Sequence, residues 1–149
     1  MNINKTISQM KQKYPGKKII ITDSKNPGEV ICETEATAAD PDWSEAIAVI
    51  DYTRLHYHRV LTETYEILRG ELDIVLQGKT HHMSSGESII IHPNTHHKAF
   101  GRGTWIRVSA KPGWTPEDHF LVMDKKEISR RDYDSATPKF DPKQHIIKY

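Results

Sequence analysis

From residue 44 to residue 123 the apolar positions come in short runs divided by turn-forming residues. Runs rich in β-branched and aliphatic side chains at 46–50, 64–68, 72–77, 88–91, 97–100, 104–109 and 120–123 read as strands. Gly70, Gly78, Gly86, Asn94, Gly101, Gly103 and Pro112 stand between them and turn the chain. Two earlier runs, 18–22 and 29–33, flank the turn at Asn26-Pro27-Gly28 and read the same way. Many short strands at this spacing predict an antiparallel barrel or sandwich. Ahead of them, Ile3, Ile7, Met10 and Tyr14 recur at helical spacing. They predict a short amphipathic helix over about 5–13, stopped before Pro15-Gly16 and lying outside the main body. After Met123 the chain turns polar, and this tail is expected to be irregular or draped over the barrel. The organisation is therefore a helical extension (1–16), a β domain (17–124) and a polar tail (125–149).

The candidate chemistry sits at one end of this pattern. Residues two apart on a strand share a face, so His56 and His58 project together. Glu63 follows four residues later, enough for a short bend into a neighbouring strand. Two imidazoles and a carboxylate brought together in this way suit a divalent transition metal. A second stretch, 86–97, carries His92, His96 and His97 and can supply a further imidazole. Alternation places Tyr65 on the face of Glu63, either as a pocket wall and proton donor or as a packed aromatic. His119 follows a turn-forming segment that contains Trp114. That loop either closes the barrel mouth and brings His119 in as general acid or base, or packs its Trp on the barrel as structure. Ile106 and Val108 are the expected inner face of their strand, with Trp105, Arg107 and Ser109 outside. The reverse phase would put the Arg107 fork in the pocket. His81 and His82 follow a hairpin turn and read as solvated.

Composition narrows the picture further. A chain of 149 residues, 36% hydrophobic and 28% charged, supports one modest core. A formal net charge of +1 with dispersed Lys and Arg gives neither a nucleic-acid footprint nor a polybasic membrane anchor. The longest apolar run, 46–50, is too short to span a bilayer. The first residues lack the apolar core of a secretion signal, so a cytoplasmic protein is expected. Cys32 is the only cysteine, which excludes an internal disulfide and reads as a small buried residue.

The histidine stretch resembles the cupin superfamily, whose first motif is Gly-x5-His-x-His-x4-Glu-x6-Gly. His56, His58, Glu63 and Gly70 fall at those intervals, while Ile50 occupies the leading glycine position. In the second motif, Gly-x5-Pro-x-Gly-x2-His-x3-Asn, Gly86 and His97 match. His92 stands for the proline with Pro93 one place later, Asn94 for the turn glycine, and Gly101 for the final asparagine. Asn is the next best residue for a left-handed turn position. The resemblance implies an all-β fold, a single jelly-roll-like cupin β-barrel with a short N-terminal helix and a polar C-terminal tail. It also selects His97 over His96 as fourth ligand beside His56, His58 and Glu63.

Three imidazoles and one carboxylate leave two positions open on an octahedral ion, and Fe, Mn, Ni, Co or Zn all accept such ligands. The function this implies is a small metalloenzyme acting on a sugar or a hydroxy- or keto-acid. The reaction would be Lewis-acid-assisted proton transfer of isomerase or epimerase type, with His119 or Tyr65 moving the proton. One alternative is an Fe(II)-dependent dioxygenase. Another is a non-enzymatic, metal-dependent barrel that binds a small ligand. A homodimer is implied as well, built by adding the 18–22 strand to a neighbour's sheet, with no nucleic-acid or membrane partner.

Overall fold

The computed structural model describes residues 1–124 and 126–136. The elements in chain order are α1 (Ile3–Lys13), β1 (Lys18–Ile21), β2 (Glu29–Glu35), β3 (Ser44–Tyr52), β4 (His56–Tyr57), β5 (Thr62–Arg69), β6 (Glu71–Leu76), β7 (Lys79–Ser84), β8 (Ser88–Ile91) and β9 (His97–Lys111). A short 3-10 turn (Pro116–Asp118), β10 (Phe120–Met123), β11 (Lys126–Ser129) and α2 (Arg130–Ala136) follow. The strand pairings are antiparallel and curl one sheet into a β-barrel, one of the two forms that the spacing of the short strands predicts. No helix among the described residues is long and apolar enough to cross a membrane.

The long strand β9 is the hub, pairing with β3, β4, β5 and β6 along its length. Its side chains alternate between two cores, which decides the layering. Ile106 faces inward with Ile50, Tyr65, Ile67, Leu72 and Ile74. Trp105 faces outward with Val30, Cys32, Ile47, Ile3 and Met10, so the convex face of β2, β3 and β9 is covered by α1. This leaves Arg107 outside, paired with Glu66 at 2.8 Å, and the inner face apolar as expected. The helix starts two residues earlier than its periodicity suggests, because the Asn2 side chain accepts the Lys5 N–H and caps it.

Two features differ from the pattern reading. Residues 97–100 and 104–109, read as two strands, are one strand, β9. The glycines between them form a kink instead of a break. A Cβ on Gly101 would lie 2.7 Å from the Ile50 carbonyl, Gly103 has φ +62°, and the β3–β9 register shifts between Ile50 and Tyr52. The polar segment also holds more order than its composition suggests. β11 pairs with β10, and α2 follows, anchored by the Arg130 N–H donating to the His119 carbonyl at 2.6 Å. Residue 125 and residues 137–149 of the predicted tail lie outside the described residues.

Candidate metal centre

His56 and His97 are cross-strand partners on β4 and β9, so their rings leave the sheet on the same face, 4.1 Å apart. His58 follows β4, and the turn after it is clamped from below. The Asp118 carboxylate accepts the N–H groups of Arg59 (2.8 Å), Val60 (3.1 Å) and Leu61 (3.0 Å). Asn94, at φ +62° as its turn position requires, donates its N–H to the His58 carbonyl at 2.6 Å. Glu63 enters on β5, opposite Ala110 of β9. The four side chains are buried, at 5%, 3%, 5% and 1% exposure for His56, His58, Glu63 and His97.

The hydrogen bonds behind the rings fix what they present in front. Nδ1 of His56 meets the Arg54 carbonyl at 2.7 Å, Nδ1 of His58 the Asp118 carbonyl at 2.6 Å, and Nδ1 of His97 the Thr95 carbonyl at 2.8 Å. A carbonyl oxygen only accepts, so each Nδ1 donates, and each neutral ring turns an Nε2 lone pair toward the cluster. Nε2 of His58 and of His97 both lie 3.2 Å from the same oxygen of Glu63. The four candidate ligand atoms lie within 4.8 Å of one another, and His58 Nε2 is buried without a hydrogen-bond partner among the described residues. Lone pairs and a carboxylate in such proximity repel unless a cation or proton lies between them. Donors about 2.1 Å from a common ion, at octahedral or tetrahedral angles, stand roughly 3.0–3.4 Å apart. The donor set therefore fits a divalent metal.

Electrostatics inside the cluster agree. Burial, reinforced by the neighbouring His97, His119 and His58 rings, holds His56 well below the ordinary imidazole range. Burial opposes charge on Glu63, yet His58 and His97 beside it hold its carboxyl well below the usual range. For His58 burial is likewise overcome, here by the Glu63 charge, and its value is raised.

The other sequence candidates divide in two. His119 is brought in: its ring stacks on His56 at 4.4 Å and meets His58 edge-on at 5.0 Å. Trp114 Nε1–H donates to His119 Nδ1 at 3.0 Å, so the neutral ring carries its proton on Nε2. Burial, then the His58 and Arg130 charges, hold His119 well below its ordinary value. Tyr65 is also brought in, 4% exposed and edge-on to His97. Its hydroxyl is pushed well above its ordinary value by burial and by the Glu63 and Glu29 charges. His96 points away and stacks on Tyr57 at 4.6 Å, while His82 pairs with Asp73 at 2.6 Å on the outer hairpin.

A cavity of about 860 Å³ opens beside the cluster, touching His56, Glu63, Tyr65 and His119. Its wall also holds a residue the sequence reading passed over. Glu29 begins β2 on the inner face, where burial pushes its carboxyl up to about 7, opposed by Arg130 and aided by Glu63. The sequence reads 29–33 as a strand and does not say which face looks inward. Here Val30 and Cys32 turn outward beneath α1, and the glutamates turn in. The available signal was the amphipathic helix, which needs an apolar sheet face to cover. Because the folded protein holds the Glu29 proton more tightly than the unfolded chain does, the residue costs stability as pH rises. The cost is absent below about pH 4.5 and complete above about pH 7, up to about 3 kcal/mol. In metal-free protein Glu29→Gln is expected to be more stable than the parent at about pH 8, with the gap closing toward about pH 4.5. Urea unfolding at the two pH values measures this, and equal gaps would contradict it.

Residues 46–105 match the family model described as Cupin domain. No curated protein sequence matches the chain. Among solved structures it is similar to Streptomyces Pac13 with uridine (TM-score 0.64, 12% identity, 78% of this chain and 87% of that one). It is similar also to KdgF from Halomonas sp. (0.54, 16%, 64% and 95%) and to an RmlC-like cupin from Shewanella frigidimarina (0.55, 16%, 66% and 86%). At these identities the likenesses establish the fold.

Proposed function

We propose, from the premise that this chain carries a cupin domain, that it is a divalent-metal protein acting on a small, polar, oxygen-rich molecule, and that its reaction is proton transfer of isomerase or epimerase type. The observation that carries this reading is the convergence of three Nε2 lone pairs and one carboxylate on the wall of a cavity that also holds two proton-bearing groups. His56, His58, Glu63 and His97 would hold the ion, which when bound supplies Lewis-acid polarisation of a ligand oxygen. Tyr65 is a neutral phenol at working pH and suits donation to a ligand oxygen. His119 offers Nε2–H, since Trp114 occupies its other nitrogen. Both groups are therefore donors in their resting forms. Glu29, with its value near 7, is the wall group suited to accept a proton. Ile31 and Val108 give the chamber an apolar lining beside these groups. A structural neighbour, Pac13, is described as a nucleoside dehydratase, which agrees with a small-molecule role. The unpaired edge of β1 supports pairing with a second copy of the chain.

The test is a panel of small sugars and hydroxy- and keto-acids incubated in deuterated water with metal-loaded protein. Deuterium entering substrate carbon without oxygen uptake is the expected result. Fe(II)-dependent oxygen uptake would replace this reading with a dioxygenase. A bound ligand recovered without turnover would replace it with a binding protein.

A further inference from the structure

The cavity has two unlike walls. One carries His56 and Glu63 of the metal cluster, with Tyr65 and His119. The other is the inner face of β2, where Glu29, Ile31 and Glu33 follow one another at every second position. At about 3.3 Å per residue, the two glutamates bracket the isoleucine over roughly 13 Å. Most other charges on the wall are already matched. Arg130 pairs with Asp134 at 2.9 Å, Asp23 with Arg54 at 2.9 Å, Glu45 with Arg107 at 3.8 Å, and Glu117 with Arg131. Glu33 and Glu35 form no close ion pair among the described residues, Glu29 is drawn only by the Arg130 charge and the Thr22 side chain, and the one unmatched cation, Lys18, stands across from Glu33. A separate observation places an open hydrogen-bonding group in the chamber. The Tyr65 side chain is 4% exposed and lines the cavity, and its hydroxyl has no hydrogen-bond partner among the described residues.

A phosphate or a second carboxylate placed here would face the row of carboxylates, and the one unmatched cation, Lys18, is exposed and already stands across from Glu33 in the sheet. Hydroxyl and ammonium groups would find acceptors along the glutamate row, and a carbon framework would find Ile31 between them. We propose that this wall selects ligands whose portion beyond the metal carries hydrogen-bond donors and no negative charge, and rejects phosphates and polycarboxylates. Free polyols and amines share that chemistry. The inference rests on the metal reading above and narrows its substrate class.

Hydroxamates separate the two claims, because one metal-binding head can carry tails of different charge. Co(II) uptake by the intact protein is first established by titration. 3-Hydroxypropionohydroxamate (neutral hydroxyl tail), β-alanine hydroxamate (ammonium tail) and succinic monohydroxamate (carboxylate tail) are then compared by calorimetry at about pH 8 and low salt. The neutral and ammonium tails are expected to bind at least about tenfold more tightly than the carboxylate tail, one decade being about 1.4 kcal/mol. The gap should close in the Glu29→Gln, Glu33→Gln double variant. A stronger response to the ammonium tail than to the neutral one assigns the wall to amines, and equal responses assign it to polyols. Succinic monohydroxamate binding as tightly as the others overturns the inference. So does a gap that survives the double variant, or Co(II)-loaded protein that binds none of the three. Protein that takes up no Co(II) overturns the metal reading itself.

Discussion

Glu63→Gln is expected to weaken divalent-ion binding at the four-residue cluster by more than the roughly 10–100-fold that loss of an outer-shell partner costs. Gln keeps the volume and planar shape of the carboxylate, so the β5 strand and the wall around it should persist. What disappears is the negative charge in the set. Three neutral imidazoles would then face a divalent cation at a site where every donor is nearly dry. The oxygen of Glu63 is also shared, 3.2 Å from both His58 and His97, so its loss loosens two neighbours at once. Metal content by elemental analysis, with affinity by chelator competition, measures the effect. Circular dichroism matching the parent separates it from misfolding. A variant that retains stoichiometric metal would place the ion elsewhere.

Ile106→Ala is expected to destabilise the fold by about 2–5 kcal/mol, within the range for emptying a well-packed core site. Ile106 is fully buried on β9, opposite Ala48 of β3 and Ile67 of β5. It therefore stands where the two sides of the curled sheet meet, and few neighbours can collapse into the space without moving a strand. At about 2–4 °C per kcal/mol for a chain of this size, the melting temperature should fall by roughly 4–20 °C. Because β9 also carries His97, metal affinity should weaken as well, though less than in Glu63→Gln. A thermal shift within about 1 °C of the parent would mean that this seam is not the core of the barrel.

Much of the site was legible because the spacing of its residues has a direct structural meaning. His56 and His58 are two apart, and Glu63 follows one tight turn, so local geometry alone brings these three together. His97 was different. His92 and His96 compete with it on local grounds, and only the family interval selects it. The fold agrees, since register with His56 turns His97 inward while His96 stacks outward on Tyr57. Glu29 was not legible, because which face of β2 looks inward depends on where α1 docks, a tertiary fact that alternation does not carry. β11 and α2 were missed for a similar reason. Arg130, Arg131, Asp132 and Asp134 have the composition of a solvated segment, and α2 is too short for periodicity to register. Its order comes from the backbone bond to His119 and the Arg130–Asp134 pair. The Asp118 clamp under the 59–61 turn was equally hidden, since it joins residues nearly sixty positions apart.

The most direct measurement is anomalous diffraction from a crystal soaked in a manganese, cobalt or zinc salt. One peak is predicted, about 2.0–2.2 Å from Nε2 of His56, His58 and His97 and from a carboxylate oxygen of Glu63. No peak among these four groups, or a peak held by other residues, would contradict the account.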